Sequence, residues 1–207
     1  MSIISFRDLK TSADVELWAA RLNREWPERA EVVAHICGLI NQLPFSALRV
    51  IELCPGHGQL AEALLAAVPG ITYTGIDSSE LLLQVAGERL SAFEPQVRLI
   101  QADLNADGWL AQVSSPVHAV VSMQSLHDLG GEAQVNRIYN LARQLLVPGG
   151  LFLNADLITL SGRDLPNNPG RRSISRHLLL LRAQDYERVA CTLKRGRFGC
   201  CVGYKQG

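Results

Sequence analysis

The chain reads as an α/β domain, a mostly parallel sheet with helices on both faces. Three observations predict this. Five short apolar runs between residues 50 and 157 alternate with helix-length stretches, the pattern of successive βαβ units. A glycine pair, Gly56 and Gly58, lies between the first run and the helix that follows it. Two further runs close the chain with only Lys194-Arg195-Gly196-Arg197 between them, a connection short enough to make an antiparallel hairpin.

Taken in order, the first 45 residues are expected to be helical. Thr11 with Asp14 three residues later has the form of a capping box, opening a short helix through Leu17, Trp18 and Leu22. Pro27 suits a first helical position, and Ala30, Val33, Ala34, Cys37 and Ile40 then recur on one face as far as Pro44. Val50 to Leu53 is the first strand, and Gln59 to Val68 its helix. Ile71 to Ile76 is the second strand, ending at Asp77, and Ser78 or Ser79 caps a helix to about Leu90. Val97 to Ile100 leads to Asp103, and Ala119 to Met123 is a short, mainly apolar fourth strand. Beyond Gly130-Gly131, Val135, Ile138, Ala142 and Leu145 mark one side of a helix. Pro148-Gly149-Gly150 is expected to turn the chain into a fifth strand, Leu151 to Leu157. Residues 158–172 carry loop chemistry, Ser173 caps a helix to about Ala183, and Val189 to Leu193 with Phe198 to Tyr204 form the hairpin. The expected layout is thus an N-terminal helical cap (1–45), a core (46–157) and a closing loop, helix and hairpin (158–207).

Of the 207 residues, 47% are hydrophobic and 19% charged, a globular composition large enough to bury a real core. The apolar run Leu178 to Leu181 stops at Arg182, far short of the ~20 residues of a membrane helix, so no membrane partner is expected. The first ten residues lack the apolar core of a signal peptide. Five cysteines, odd in number and without a Cys-x-x-Cys spacing, read as reduced thiols of a cytoplasmic protein and not as a disulfide framework or a metal site. The formal charge is zero but unevenly spread. Residues 1–156 carry 10 basic and 17 acidic side chains, and residues 157–207 carry 10 and 3. That basic final quarter reads as a biased solvated surface, a self-association surface or the neighbour of an anionic acceptor.

The chemistry concentrates at Glu52-Leu-Cys-Pro-Gly56-His-Gly58. In an open α/β sheet, ligands bind beyond the carboxyl ends of the strands, where strand order reverses. The glycines let the backbone pass close beneath a ligand, and the helix start offers free N–H groups. Asp77 is placed to accept from both hydroxyls of a ribose, and Asp103 from the exocyclic amine of a base. Gly56-x-Gly58-x-x-Ala61 also satisfies a dinucleotide pattern, which keeps an NAD-linked oxidoreductase open as a reading. Against it stand Glu52 inside the strand, a second acid at Asp103, and the terminal hairpin.

On these residues the stretch 48–157 resembles the core of class I S-adenosylmethionine-dependent methyltransferases, in particular their small-molecule, type 11/12-like group. The glycine motif of that family commonly reads Asp/Glu-x-Gly-x-Gly-x-Gly; here Cys54 stands at the first glycine and Pro55 follows it. The resemblance implies a Rossmann-like three-layer αβα sandwich with seven strands in the order 3-2-1-4-5-7-6, strand seven antiparallel. It implies S-adenosylmethionine as the methyl donor, held by Glu52, Cys54, Pro55, Gly56, Gly58, Asp77, Ser78, Asp103, Leu104 and Met123. Asp77 would serve the ribose, and Asp103 with Leu104 the adenine. His57 reads as a surface side chain.

Methyl transfer from a sulfonium chiefly requires in-line placement and exclusion of water. A hydroxyl acceptor also gains from a base, and His is the usual choice. His127, in the segment Ser122-Met-Gln-Ser-Leu-His-Asp128 after the fourth strand, is the candidate, with Asp128 to orient it. No Asn/Asp-Pro-Pro-aromatic motif follows that strand, nor a Pro-Cys nucleophile; DNA is not expected as a partner, while RNA stays open. The family commonly builds its acceptor pocket from residues 11–43 and 158–177. Trp18 and Trp26, with Arg163, Arg171, Arg172 and Arg176, would suit a partly apolar, anionic small molecule. A protein that binds the donor without catalysis would carry the same sequence features.

Overall fold

A computed structural model of the chain describes residues 5–159 and 170–207. Seven strands form one sheet: β1 (Arg49–Leu53), β2 (Thr72–Asp77), β3 (Val97–Gln101), β4 (Val117–Met123), β5 (Leu146–Leu157), β6 (Tyr186–Arg195) and β7 (Phe198–Lys205). Their order is β3-β2-β1-β4-β5-β7-β6. The first five run parallel, and β7 lies antiparallel to both β5 and β6. This is the expected seven-stranded Rossmann-like sandwich. Because β1 and β4 are neighbours while their connections leave to opposite sides, the loops after their carboxyl ends part and open a crevice.

The helices are α1 (Ser12–Glu25), α2 (Arg29–Asn41), α3 (Gln59–Ala67), α4 (Glu80–Arg89), α5 (Glu132–Leu145) and α6 (Ile174–Ala183). Two apolar cores lie on the two faces of the sheet, as strands buried on both sides require. One joins α2 and α3 to Val50, Tyr73, Val121 and Leu153. The other joins α5 and α6 to Ile51, Ile76, Val120 and Phe152. A small third cluster, Val15 with Leu82 and Val85, fixes α1 on α4.

Caps follow the expectation closely. The Thr11–Asp14 box forms at the start of α1, Ser79 caps α4 with its hydroxyl accepting from the Leu82 N–H, and Ser173 caps α6. Helix phase fared less well. Leu17 is 64% exposed, while Val15 and Ala19 point inward. On α2 the buried row is Val32, Ile36, Cys37 and Ile40, whereas Ala30 and Ala34 face solvent. Apolar residues surround α2, so its period alone does not single out the inward face; packing against α3 does. Pro148-Gly149-Gly150 does not precede β5 but lies within it: α5 passes directly into β5 at Leu146, and pairing with β4 slips between Val117 and Ala119. The hairpin is longer than expected, and its turn is only Gly196-Arg197, with Gly196 at φ +52. Cys200 and Cys201 enter opposite cores, as adjacent strand residues must.

Candidate active site

A cavity of about 520 Å³ opens over the carboxyl ends of β1, β2 and β4, roofed by Trp18, Leu22 and Trp26. Glu52, Cys54, Pro55, Gly56, Asp77, Ser78, Asp103, Met123 and His127 all line it. Gly58 and Leu104 do not. Gly58, at φ +84, starts α3 in the left-handed region, and a Cβ there would stand 3.2 Å from that of Ala86. Its smallness therefore serves the approach of α3 to α4. Leu104 is a buried member of the α5–α6 core.

The glycine turn is held by the acids around it. Asp77 accepts the Gly56 N–H at 3.2 Å on one carboxylate oxygen and the Ser79 N–H at 3.0 Å on the other. Burial pushes its carboxyl up, and these N–H groups oppose the shift. Glu52 is 2% exposed and accepts from the Tyr73 hydroxyl at 2.8 Å. Burial raises its carboxyl to about 8, because an uncompensated charge inside the sheet costs far more than holding a proton. Asp103 is exposed at the cavity rim and accepts the Asn105 N–H at 2.8 Å. His57 is buried, not on the surface: its ring meets Trp18 edge-on, and burial beside Arg89 and Arg29 pushes it down to about 4.

Two side-chain-bearing residues facing the cavity take left-handed backbone, Cys54 at φ 57 and Gln124 at φ 58. Each donates its N–H to the neighbouring strand, Cys54 to the Ile76 carbonyl and Gln124 to that of Ala155, both at 2.8 Å. Cys54, standing where the motif that this segment resembles carries glycine, thus takes a left-handed conformation that glycine adopts without a steric cost. A non-glycine residue in such a conformation costs about 1–3 kcal/mol and persists only where surrounding structure imposes it.

His127 sits in a 3₁₀ turn, Leu126–Asp128, at the far side of the cavity. Its backbone N–H meets one oxygen of Asp156 at 3.0 Å, and its ring Nδ1 meets the other at 2.6 Å. The expected orienter, Asp128, instead lies 3.4 Å from Nε2. Burial opposes charging the ring, but the charge and hydrogen bond of Asp156, helped by Asp128, outweigh it and hold His127 above its ordinary value. Asp156 is correspondingly held below the usual carboxylate range despite its burial. Behind this pair, on the same face of β5, Asn154 donates to the Tyr139 hydroxyl, which bonds the His177 ring at 2.7 Å.

The basic residues divide. Arg171 lines the cavity, whereas Arg172 and Arg176 both reach Glu132; Arg163 lies outside the described residues. Further along, Arg195 pairs with Glu31 at 2.7 Å. Part of the basic final quarter is thus neutralised by acids earlier in the chain. Sequence reasoning missed Asp156, Arg29, Gln59 and Gln124. Asp156 carried a signal, an acid inside an apolar strand; Arg29 carried none.

Among known proteins, residues 50–150 match the family model described as a methyltransferase domain. Trans-aconitate 2-methyltransferase of Paracidovorax citrulli (strain AAC00-1) is 34% identical over 137 residues, covering 65% of this chain and 48% of that protein. The chain thus spans about half the length of this relative. Among solved structures, an O-methyltransferase family protein from Burkholderia thailandensis superposes with a TM-score of 0.68 at 17% identity, over 85% of this chain and 57% of the other. Human N-acetylserotonin methyltransferase, solved with its methyl donor, gives 0.62 at 17% identity over 90% and 58%. The strand order, the acids gathered at the strand ends and the match over residues 50–150 agree: this part of the chain is similar to the methyltransferase domain of those proteins.

Proposed function

We propose that the chain transfers a methyl group from S-adenosylmethionine to a small-molecule acceptor, with His127 as the base for a hydroxyl. The observation that carries this reading is the one cavity shared by Glu52, Asp77 and Asp103 on one side and His127, held from behind by Asp156, on the other. The donor supplies an electrophilic methyl carbon on a sulfonium. The residues present fit it: a buried acid and a buried cation, Glu52 and Arg29, at the glycine turn, and a carboxylate at the end of β2 for a ribose. With Nδ1 committed to Asp156, the imidazole presents Nε2 to an incoming acceptor. That nitrogen is free to take a proton only once Asp128 releases it and the ring is neutral. Trp18 and Trp26 contribute apolar walls that exclude water, which favours direct displacement over hydrolysis.

The cavity's size and the relative named for acting on trans-aconitate support a small acceptor. No described helix is long and apolar enough to cross a membrane, and the five unpaired cysteines support a cytoplasmic setting. Titration calorimetry with S-adenosylhomocysteine and with NAD tests the donor assignment. The homocysteine product is expected to bind and NAD not to; the reverse would end this reading.

A further inference from the structure

The last two strands carry Cys191 on β6 and Cys200 with Cys201 on β7. Cys191 and Cys201 are register partners in this antiparallel pair, and both side chains join the α5–α6 side of the sheet. Cys200 lies on the opposite side. Residues directly opposed in such a pair stand about 4.5–5.5 Å apart at Cα, inside the ~4.4–6.8 Å that a disulfide spans. The register slips between Cys191 and Leu193, and the Thr192 hydroxyl turns to the Cys200 carbonyl. The slip leaves Cys191 opposed to Cys201 and sets Leu193, not a thiol, opposite Cys200.

β6 ends the sheet, so Cys191 is half-buried and within reach of solvent, whereas Cys201 is fully buried. The two thiols hydrogen-bond to each other. That bond, helped by the charge of Lys194, holds Cys191 below its ordinary value against the opposing effect of burial. The same bond and burial push Cys201 up. Burial also pushes Cys37 up to about 11 and Cys200 up to about 12, and burial with neighbouring acids raises Cys54. Thiolate character therefore gathers on the member of the pair that a small oxidant can reach.

We propose that Cys191 and Cys201 form a reversible redox site, in which hydrogen peroxide oxidises the edge-strand thiol and the buried thiol closes a cross-strand disulfide. The Cys191 thiolate attacks the peroxide: an S–O bond forms, the O–O bond breaks, and hydroxide leaves to be protonated by solvent. The Cys201 thiol then attacks the sulfenic sulfur. The S–S bond forms, the S–O bond breaks, and the Cys201 proton leaves with the hydroxyl group as water. The two thiols together give up two electrons, one peroxide becomes two waters, and a dithiol reductant restores the pair. The site is independent of the donor and acceptor readings. Its buried member is the register partner of Asn154 on β5, so the bond fastens the exposed edge of the sheet beside the strand that carries Asp156.

The test treats the reduced full chain with hydrogen peroxide near neutral pH and blocks the remaining thiols with iodoacetamide under denaturing conditions. The monomer band of a non-reducing gel is then mapped by tryptic mass spectrometry. Trypsin cuts between the two cysteines at Lys194, Arg195 and Arg197, so the disulfide joins peptide 189–194 to peptide 198–205. That linked species is expected, reversed by dithiothreitol, with fragmentation placing the bond on Cys201 and the alkyl group on Cys200. Cys191→Ser is expected to abolish the link and to slow peroxide-driven thiol loss by about tenfold or more. Unlinked peptides, a bond to Cys200, a link found only between two chains, or thiol loss at the wild-type rate without Cys191 overturns the proposal. Should Cys191→Ser not fold, the mapping of the wild type decides alone.

Discussion

The two ends of the cavity are built by different means. At the proposed donor end, the contacts expected from the sequence come from the backbone turn and acids at the ends of successive strands: Glu52 to Gly56, then Asp77, 21 positions on, bonded to Gly56 and to Ser79. At the acceptor end the key pair joins a 3₁₀ turn to a residue 29 positions later, His127 to Asp156. The proposed donor end joins the ends of neighbouring strands around one short glycine turn. The proposed acceptor end also draws on a loop and a different strand, so under this reading one scaffold can change its acceptor without disturbing its donor.

If that division holds, substitutions should separate the two ends. The largest effect is expected from His127→Ala, with kcat falling by about 10²–10⁴-fold and S-adenosylhomocysteine affinity unchanged by calorimetry. A parallel loss of donor affinity would erase the distinction between the ends. Next comes Asp77→Ala, expected to weaken S-adenosylhomocysteine by about 10- to 100-fold through lost charge-assisted hydrogen bonds; unchanged affinity would remove Asp77 from the ribose. Asp156→Asn is subtler. Removing its charge removes the largest influence that raises His127, so the rising limb of the pH–rate profile should move to lower pH while kcat declines. A decline with no movement of the limb would give Asp156 a purely structural part.

A further effect is on stability and arises at Glu52. Folded Glu52 keeps its proton to about pH 8 against an ordinary 4.5, so between these values the folded chain holds a proton that the unfolded chain has released. Stability of the ligand-free protein should therefore fall as pH rises through this window. Glu52→Gln should flatten the Glu52 contribution to that slope in denaturation curves at pH 5 and pH 8. An identical slope in the variant would mean that Glu52 is already ionised in the folded chain.

Much of this was legible along the chain. The Thr11 and Ser173 caps and the glycine turn depend on residues within a few positions of each other, and local chemistry settles such features. The helix faces were less legible, because α2 is apolar on more than one side and only α3 decides which side is inside. Leu104 was misplaced at the site since being next to Asp103 does not put its side chain there; the turn sends it into the core. Asp128 was taken as the partner of His127 because it is adjacent, yet a neighbour in a tight turn seldom reaches Nδ1, whereas a strand alongside does.

By itself, then, the sequence determined the run of elements and the α/β class, which follow from periodicity and short-range spacing, and it pointed to Glu52, Asp77, Asp103 and His127 as residues at the strand ends. Only the tertiary structure decided that Asp156 grips His127, that Gly58 spaces two helices, and that Arg29 lies buried at the cavity without a carboxylate partner among the described residues. The reason is physical. A charge's partner, and the cost of lacking one, are set by what the folded chain brings within a few ångströms, and spacing along the chain does not contain that distance.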